Sequence, residues 1–162
     1  MPSPESSDVV FAVAGEDIPA HKVILATRLP YFKVLFASGM RESGTNRVVV
    51  DDIDALTFKA VLKFIYCGDF PEDVGTSAEV YLPIADKYGI PELKEEAARA
   101  MEQGITKENV VERVILAHLM QCPSLKNRCF LYLKTQPPLS AEALAPLKSH
   151  PDLMFDYMTH QI

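Results

Sequence analysis

His118 and Cys122 stand four residues apart in ILAHLMQC, a run with helical spacing that sets an imidazole beside a thiol. Such a pair begins two chemistries, a base activating a nucleophile or one half of a zinc site. Neither is completed. Cys129 is seven residues further on, no second His–Cys pair has ligand spacing, and neither a Gly-rich phosphate loop nor an H-E-x-x-H helix occurs. A satisfied helical histidine and a buried thiol are the expectation, with no enzyme activity, no metal and no cofactor. The second candidate is FASGMRES at 36–43, where a short polar connection carries Met40 and, two residues on, Glu42. An apolar side chain in a loop is exposed unless something covers it. A flexible thioether suits a partner's apolar groove, and a carboxylate beside it suits hydrogen bonds at the rim. That is the chemistry of binding.

The elements around these residues follow from spacing. VVFAVAG at 9–15 and EDIPA after it predict a hairpin turning near Gly15 and Glu16. HKVILATR predicts a helix broken at Leu29-Pro30, because proline lacks the N–H and restricts the residue before it; YFKVLFAS restarts a second. RVVVDD at 47–52 is a third strand. Asp54 is placed to cap a helix whose Phe58, Val61, Leu62 and Ile65 share one face, and Gly68 stops it. Beyond the linker GDFPEDVGT, Ser77 is placed to cap a helix through Lys87, and Pro91 starts another carrying Leu93, Ala97 and Met101 in step with Ile90. Thr106 is expected to cap the next, with a stripe of Val110, Val111, Val114, Ile115 and Leu119. Pro123 opens a helix bearing Leu125, Cys129, Leu131 and Leu133; Ser140 and Pro151 open two short last segments. Few short strands first and helices after give an α+β, helix-dominated fold.

Composition bounds the rest. The 162 residues suit one ordinary domain, or one domain with a small appendage, so one compact unit is the expectation, and no run approaches the ~20 apolar residues of a membrane span. MPSPESSD reads as a loose tail over 1–7 rather than a leader, so the expected location is intracellular, in the nucleus and/or cytoplasm. Three cysteines suit a compartment where thiols stay reduced. With a net charge of −6 and 16 scattered basic residues, neither nucleic acid nor membrane is an expected partner.

The order of motifs, DVVFAV, AHKVILA, the Pro-Tyr-Phe helix, RVVVDDID, FIYCGD and ADKYGIPELKEEA, closely resembles the BTB/POZ fold over residues 8–104. The nearest branch is similar to the speckle-type POZ and plant MATH-BTB proteins. By that resemblance, ITKENVVERVILAHLMQ and PSLKNRCFLYLKT over 105–136 are a 3-box helix pair, and 137–162 holds a partial BACK-like remnant. The resemblance implies an adaptor that binds the N-terminal domain of cullin-3 and recruits substrates to a RING-type ubiquitin ligase. Met40-Arg41-Glu42 fits the family's cullin-binding signature, and Tyr88, Ile115 and Leu119 fall beside the same groove. The substrate protein would be held by a domain outside this chain. Asp8 and Lys22 match a charge pair near the homodimer seam of relatives, with His21 bonded locally. Leu29 departs from the serine usual before that proline. MPSPESSD stands where dimeric relatives carry a leucine-rich segment, which weakens the case for the homodimer that the resemblance otherwise implies. Tyr157 and Met158 fall where the BACK remnant self-associates. Two other roles are compatible with the scaffold: a BTB used only for self-association, or a monomeric Skp-type or elongin-C-type linker.

Overall fold

The structure, a computed structural model, describes residues 6–37, 46–70 and 78–160. Two compact units, and not the single one expected, make up the chain. The first joins Met1–Thr76 to Lys87–Leu93, and the second joins Ser77–Asp86 to Lys94–Ile162.

In the first unit, β1 (Val9–Val13) and β2 (Glu16–Ala20) pair antiparallel with Val13 opposite Glu16, which leaves Ala14 and Gly15 as a two-residue turn. Glu16 is therefore the first residue of β2 and not part of the turn. Both turn residues have positive φ, 48° and 86°, as a turn matching the right-handed twist of the strands requires. β3 (Arg47–Val50) joins β1 in parallel, giving the strand order β2-β1-β3. Alternation decides the faces: Val9, Phe11 and Val13 are buried, and Val10 and Ala12 are partly exposed.

Helices cover that buried face. α1 (Lys22–Arg28) and α2 (Pro30–Ala37) are separated by Leu29, which is extended at φ −130° as the following proline demands. α3 (Ala55–Cys67) starts at Asp54, whose carboxylate accepts from the Thr57 N–H at 2.9 Å and from the Thr57 hydroxyl. It ends at Gly68, left-handed at φ 79°. Phe58, Val61, Leu62 and Ile65 are all buried along it.

The second unit is helical. It takes α4 (Ala78–Tyr88) up to Asp86 and α5 (Pro91–Gln103) from Lys94 onward, then α6 (Val110–Leu119), α7 (Pro123–Thr135), a 3-10 turn (Ala145–Ser149) and α8 (Pro151–His160). Ser77 lies outside the described residues. Leu82, Ala97, Met101, Val110, Val114, Leu125, Cys129 and Leu153 form its core. Arg113 fastens α6 to the preceding helices, donating from Nε at 2.9 Å and from Nη2 to Glu79 Oε1, and from Nη1 to the Met101 carbonyl.

Another expectation fails here. Thr106 does not cap α6, which begins four residues later; Lys107–Asn109 form a turn that the Asn109 side chain closes. Asn109 accepts from the Thr106 N–H at 2.8 Å and donates to the Gly104 carbonyl at 2.9 Å. Leu131 is half exposed, because the buried face of α7 runs through Leu125, Cys129, Phe130 and Leu133. Among the described residues no helix is long and apolar enough to cross a membrane.

Ala14 pays a steric penalty in the left-handed region that glycine and asparagine largely escape. Ala14→Asn, which creates an Asn-Gly turn, is expected to raise stability by about 1 kcal/mol. Urea unfolding followed by circular dichroism checks it, with the midpoint rising and the slope unchanged. Asp54→Ala should cost about 1 kcal/mol through the lost cap. The Thr57 hydrogen bonds hold the Asp54 carboxyl below its ordinary value, so its contribution is present above pH ~4 and fades as pH falls further.

Candidate functional site

Met40 and Glu42 lie outside the described residues. The elements on either side of them are described: α2 ends at Ala37 and β3 begins at Arg47. These two elements, with Lys87 and Tyr88, line a groove holding a cavity of ≈ 120 Å³. Its floor is aromatic. Tyr88 is 3% exposed and stacks on Phe32, with ring centroids 5.7 Å apart and planes 6° from parallel. It meets the edge of Tyr31 at 5.0 Å and packs on Phe58 at 6.5 Å. The groove's walls carry Leu35, Val48 and Val49, and Val49 is 73% exposed.

The rim is charged. Asp51 and Asp52 follow β3, and the Lys87 ammonium donates to Asp52 Oδ2 while lying 5.2 Å from the Tyr88 ring centre. The hydrogen bond from Lys87 holds the Asp52 carboxyl below its usual range. Burial pushes the Tyr88 hydroxyl well above the ordinary phenol value, and the charges of Asp52, Tyr31 and Asp51 add to that. The arrangement offers shape and polarity to a partner's side chain, and among the described residues lining it no nucleophile faces a base. Tyr88 is thus a core ring that also forms a groove floor, more buried than a ring with its hydroxyl at the surface. The aspartates and Lys87 escaped the sequence reading; the doubled Asp after RVVV and the Lys before Tyr88 were the signal.

Asp8 and Lys22 do meet, though not as two charges. Asp8 Oδ1 accepts from the Lys22 backbone N–H at 2.7 Å and so caps α1 from across the hairpin. The Lys22 ammonium turns instead to Asn46 Oδ1 at 2.6 Å. His21 is not bonded locally: Nδ1 lies 3.1 Å from the Tyr66 hydroxyl and Nε2 3.2 Å from Ser6 Oγ.

In the second unit, Ile115 is half-buried and Leu119 is 53% exposed. The stripe on α6 therefore buries Val110, Val111 and Val114 and leaves its last members toward solvent. On α8, Tyr157 is half-buried and Met158 exposed. His118 packs edge-on against His150, 6.4 Å between centroids, while burial raises the Cys122 thiol above its ordinary value. Burial pushes Cys129 up to about 12, so neither thiol is a thiolate near neutrality. Among the described residues no three His, Cys, Asp or Glu side chains gather as a metal site.

The family model for the BTB/POZ domain matches residues 2–105. The chain belongs to the BTB/POZ family. Among solved structures, it is similar to the BTB (Tramtrack and Bric a brac) domain of human gigaxonin, with a TM-score of 0.51 and 21% identity, covering 59% of this chain and 78% of that one. The BTB domain of zebrafish PATZ1 matches with a TM-score of 0.52 and 21% identity, over 60% of this chain and 77% of that one. At that identity the likeness carries the fold. A BTB domain is a protein-interaction module, which accords with a site built of shape and charge and not of reacting groups.

Because the neutral Tyr88 hydroxyl is favoured in the folded BTB domain, its contribution is complete below the ordinary tyrosine pKa of ~10 and is lost as pH rises past it. Tyr88→Phe should therefore flatten the fall in melting temperature above pH ~10. Tyr88→Ala should cost about 3–5 kcal/mol at neutral pH by opening the aromatic cluster. Calorimetric melts across the alkaline range read both.

Proposed function

We propose that this BTB protein is an adaptor that docks on the N-terminal helices of cullin-3 and brings a substrate to a RING-type ubiquitin ligase. Catalysis then belongs to the ligase and its charged E2, and the BTB contributes position by raising the substrate's effective concentration. The observation that carries the reading is the aromatic-floored, acid-rimmed groove between α2, β3 and Tyr88. Its two walls are the elements that bracket Met40-Arg41-Glu42, the apolar-x-Glu signature of the resemblance. In this reading Met40 is the anchor and Glu42 orients the partner at the rim. Ile115 and Leu119 of the proposed 3-box add apolar contact, which suits the exposure of Leu119. The adaptor works inside the cell, in nucleus or cytoplasm, and a domain outside this chain selects the substrate.

Self-association is the second reading. It is favoured by the α1 surface, where Val23 is 69% exposed and Ile24, Thr27, Arg28 and Tyr66 line a shallow cavity. BTB domains mediate dimerisation as well as binding to other proteins.

Calorimetric titration of the chain with the N-terminal domain of cullin-3, with masses checked by light scattering, separates the two. Saturable binding at one cullin per BTB is expected. Met40→Asp should weaken it about 30-fold or more, as for a buried hot spot, with the melt unchanged. Glu42→Lys should weaken it less and make it more sensitive to salt. No complex at micromolar concentrations would overturn the adaptor reading, and unfolding by Met40→Asp would make that residue core.

A further inference from the structure

The two edges of the sheet are built differently. On β2 the outward position is Pro19, opposite Val10, and it has no N–H to offer; Glu16 and Asp17 add charge to the same strand. Proline and charge are how an edge is closed to further strands. β3 has neither proline nor a charge between Arg47 and Asp51. Because the Val10 N–H bonds to the Asn46 carbonyl, the parallel ladder turns Asn46, Val48 and Val50 toward β1. The N–H and carbonyl groups of Arg47, Val49 and Asp51 therefore face away from the sheet. Among the described residues no further strand takes them up.

The sequence of that edge is its own complement. In RVVVD, read antiparallel about Val49, Arg47 lies opposite Asp51 and Val49 opposite Val49. Residues 47, 49 and 51 share one face of the strand, and all three are exposed. They are also the residues whose backbone groups point outward, so this register makes each facing pair a hydrogen-bonded one. Asp51 enters no ion pair among the described residues. Arg47 gives Nη1 to Asp17 at 2.6 Å, and a guanidinium keeps further donors for a second carboxylate.

We propose that β3 is an interface for a second copy of this chain, paired antiparallel through residues 47–51 with Val49 at the two-fold axis and Arg47 against Asp51 on both sides. The surface shares Val49 and Asp51 with the wall and rim of the groove proposed for cullin-3, so pairing through β3 and occupancy of that groove compete, whereas the exposed Val23 of α1 takes no part in it. Two copies joined this way fuse their sheets into one of six strands across the axis, with a charged rim on each side of the valines. Charge complementarity fixes the register, because a slip of two residues sets Arg47 against Val49 and leaves Asp51 unpaired.

Sedimentation equilibrium of the full chain over the micromolar to millimolar range tests this. The wild type should gain mass with concentration beyond whatever Val49→Lys retains, and the Val49→Lys substitution should raise the dissociation constant by about tenfold or more. The decisive arm is a charge swap. Arg47→Asp alone places Asp against Asp and Asp51→Arg alone places Arg against Arg, so each should fail to associate through β3. Mixed together they restore both pairs, and the mixture should associate where neither component does. Circular dichroism melts confirm that each variant is folded; Val49→Lys, on an exposed side chain, keeps the test open if a charge variant is not. A mixture that behaves as the sum of its components, or Val49→Lys that associates like the wild type, would overturn the proposal.

Discussion

The first unit is held together by one aromatic contact set, Phe11 of β1, Phe32 of α2, Phe58 of α3 and Tyr88. Phe11 meets Phe32 at 5.8 Å and Phe58 at 5.0 Å, and Tyr88 stacks on Phe32 and touches Phe58. Four segments distant in sequence thus share one cluster, and three of its rings are 1% exposed. Each ring buries a large apolar area, and edge-to-face or stacked geometry adds to it. Tyr88 is what draws Lys87–Leu93 into this unit, since it comes from the far end of a helix whose earlier residues belong to the other. The groove exists because Tyr88 reaches the sheet at all.

Charge is kept at the edges of this arrangement. Lys59 pairs with Glu16, Arg47 with Asp17 and Lys87 with Asp52, all with partly or well exposed side chains. Exposed pairs of this kind contribute little to stability. Their effect is on what the surface presents: with Arg47 and Lys87 each engaged by a carboxylate, Asp51 at the end of β3 enters no ion pair among the described residues.

Local signals in the sequence were legible and long-range ones were not. Asp54, Gly68 and Pro123 mark helix ends through their own backbone or side-chain chemistry, which acts within three or four residues, and the structure places them so. The alternation of β1 and the period of α3 were equally readable. Thr106 misled because a capping residue type says nothing about a competing side chain, and Asn109 takes the turn. Asp8 and His21 have partners 14, 45 and 15 residues away, contacts that only tertiary packing creates. Tyr88 was expected beside a cullin groove by resemblance alone; its depth in the core follows from Phe32 and Tyr31, whose rings no spacing rule ties to position 88. Parallel pairing of β3 with β1 was likewise invisible, since four residues with a valine run are compatible with either direction.

A groove floored by core rings has a consequence for how partners are recognised. Phe11, Phe32 and Tyr88 cannot shift to suit a ligand without disturbing the sheet and both helices they hold, because interiors are close-packed. The floor is therefore pre-organised, and a partner is selected by fit to it with little ordering cost. The adaptable part must be supplied by the walls and rim, where Val49, Leu35, Asp51 and Lys87 are open to solvent or partly so. In the proposed adaptor reading, specificity is a matter of the rim, and affinity a matter of what side chain reaches the aromatic floor. Replacing floor residues would confound folding with binding. Only rim and connection residues can report on recognition alone.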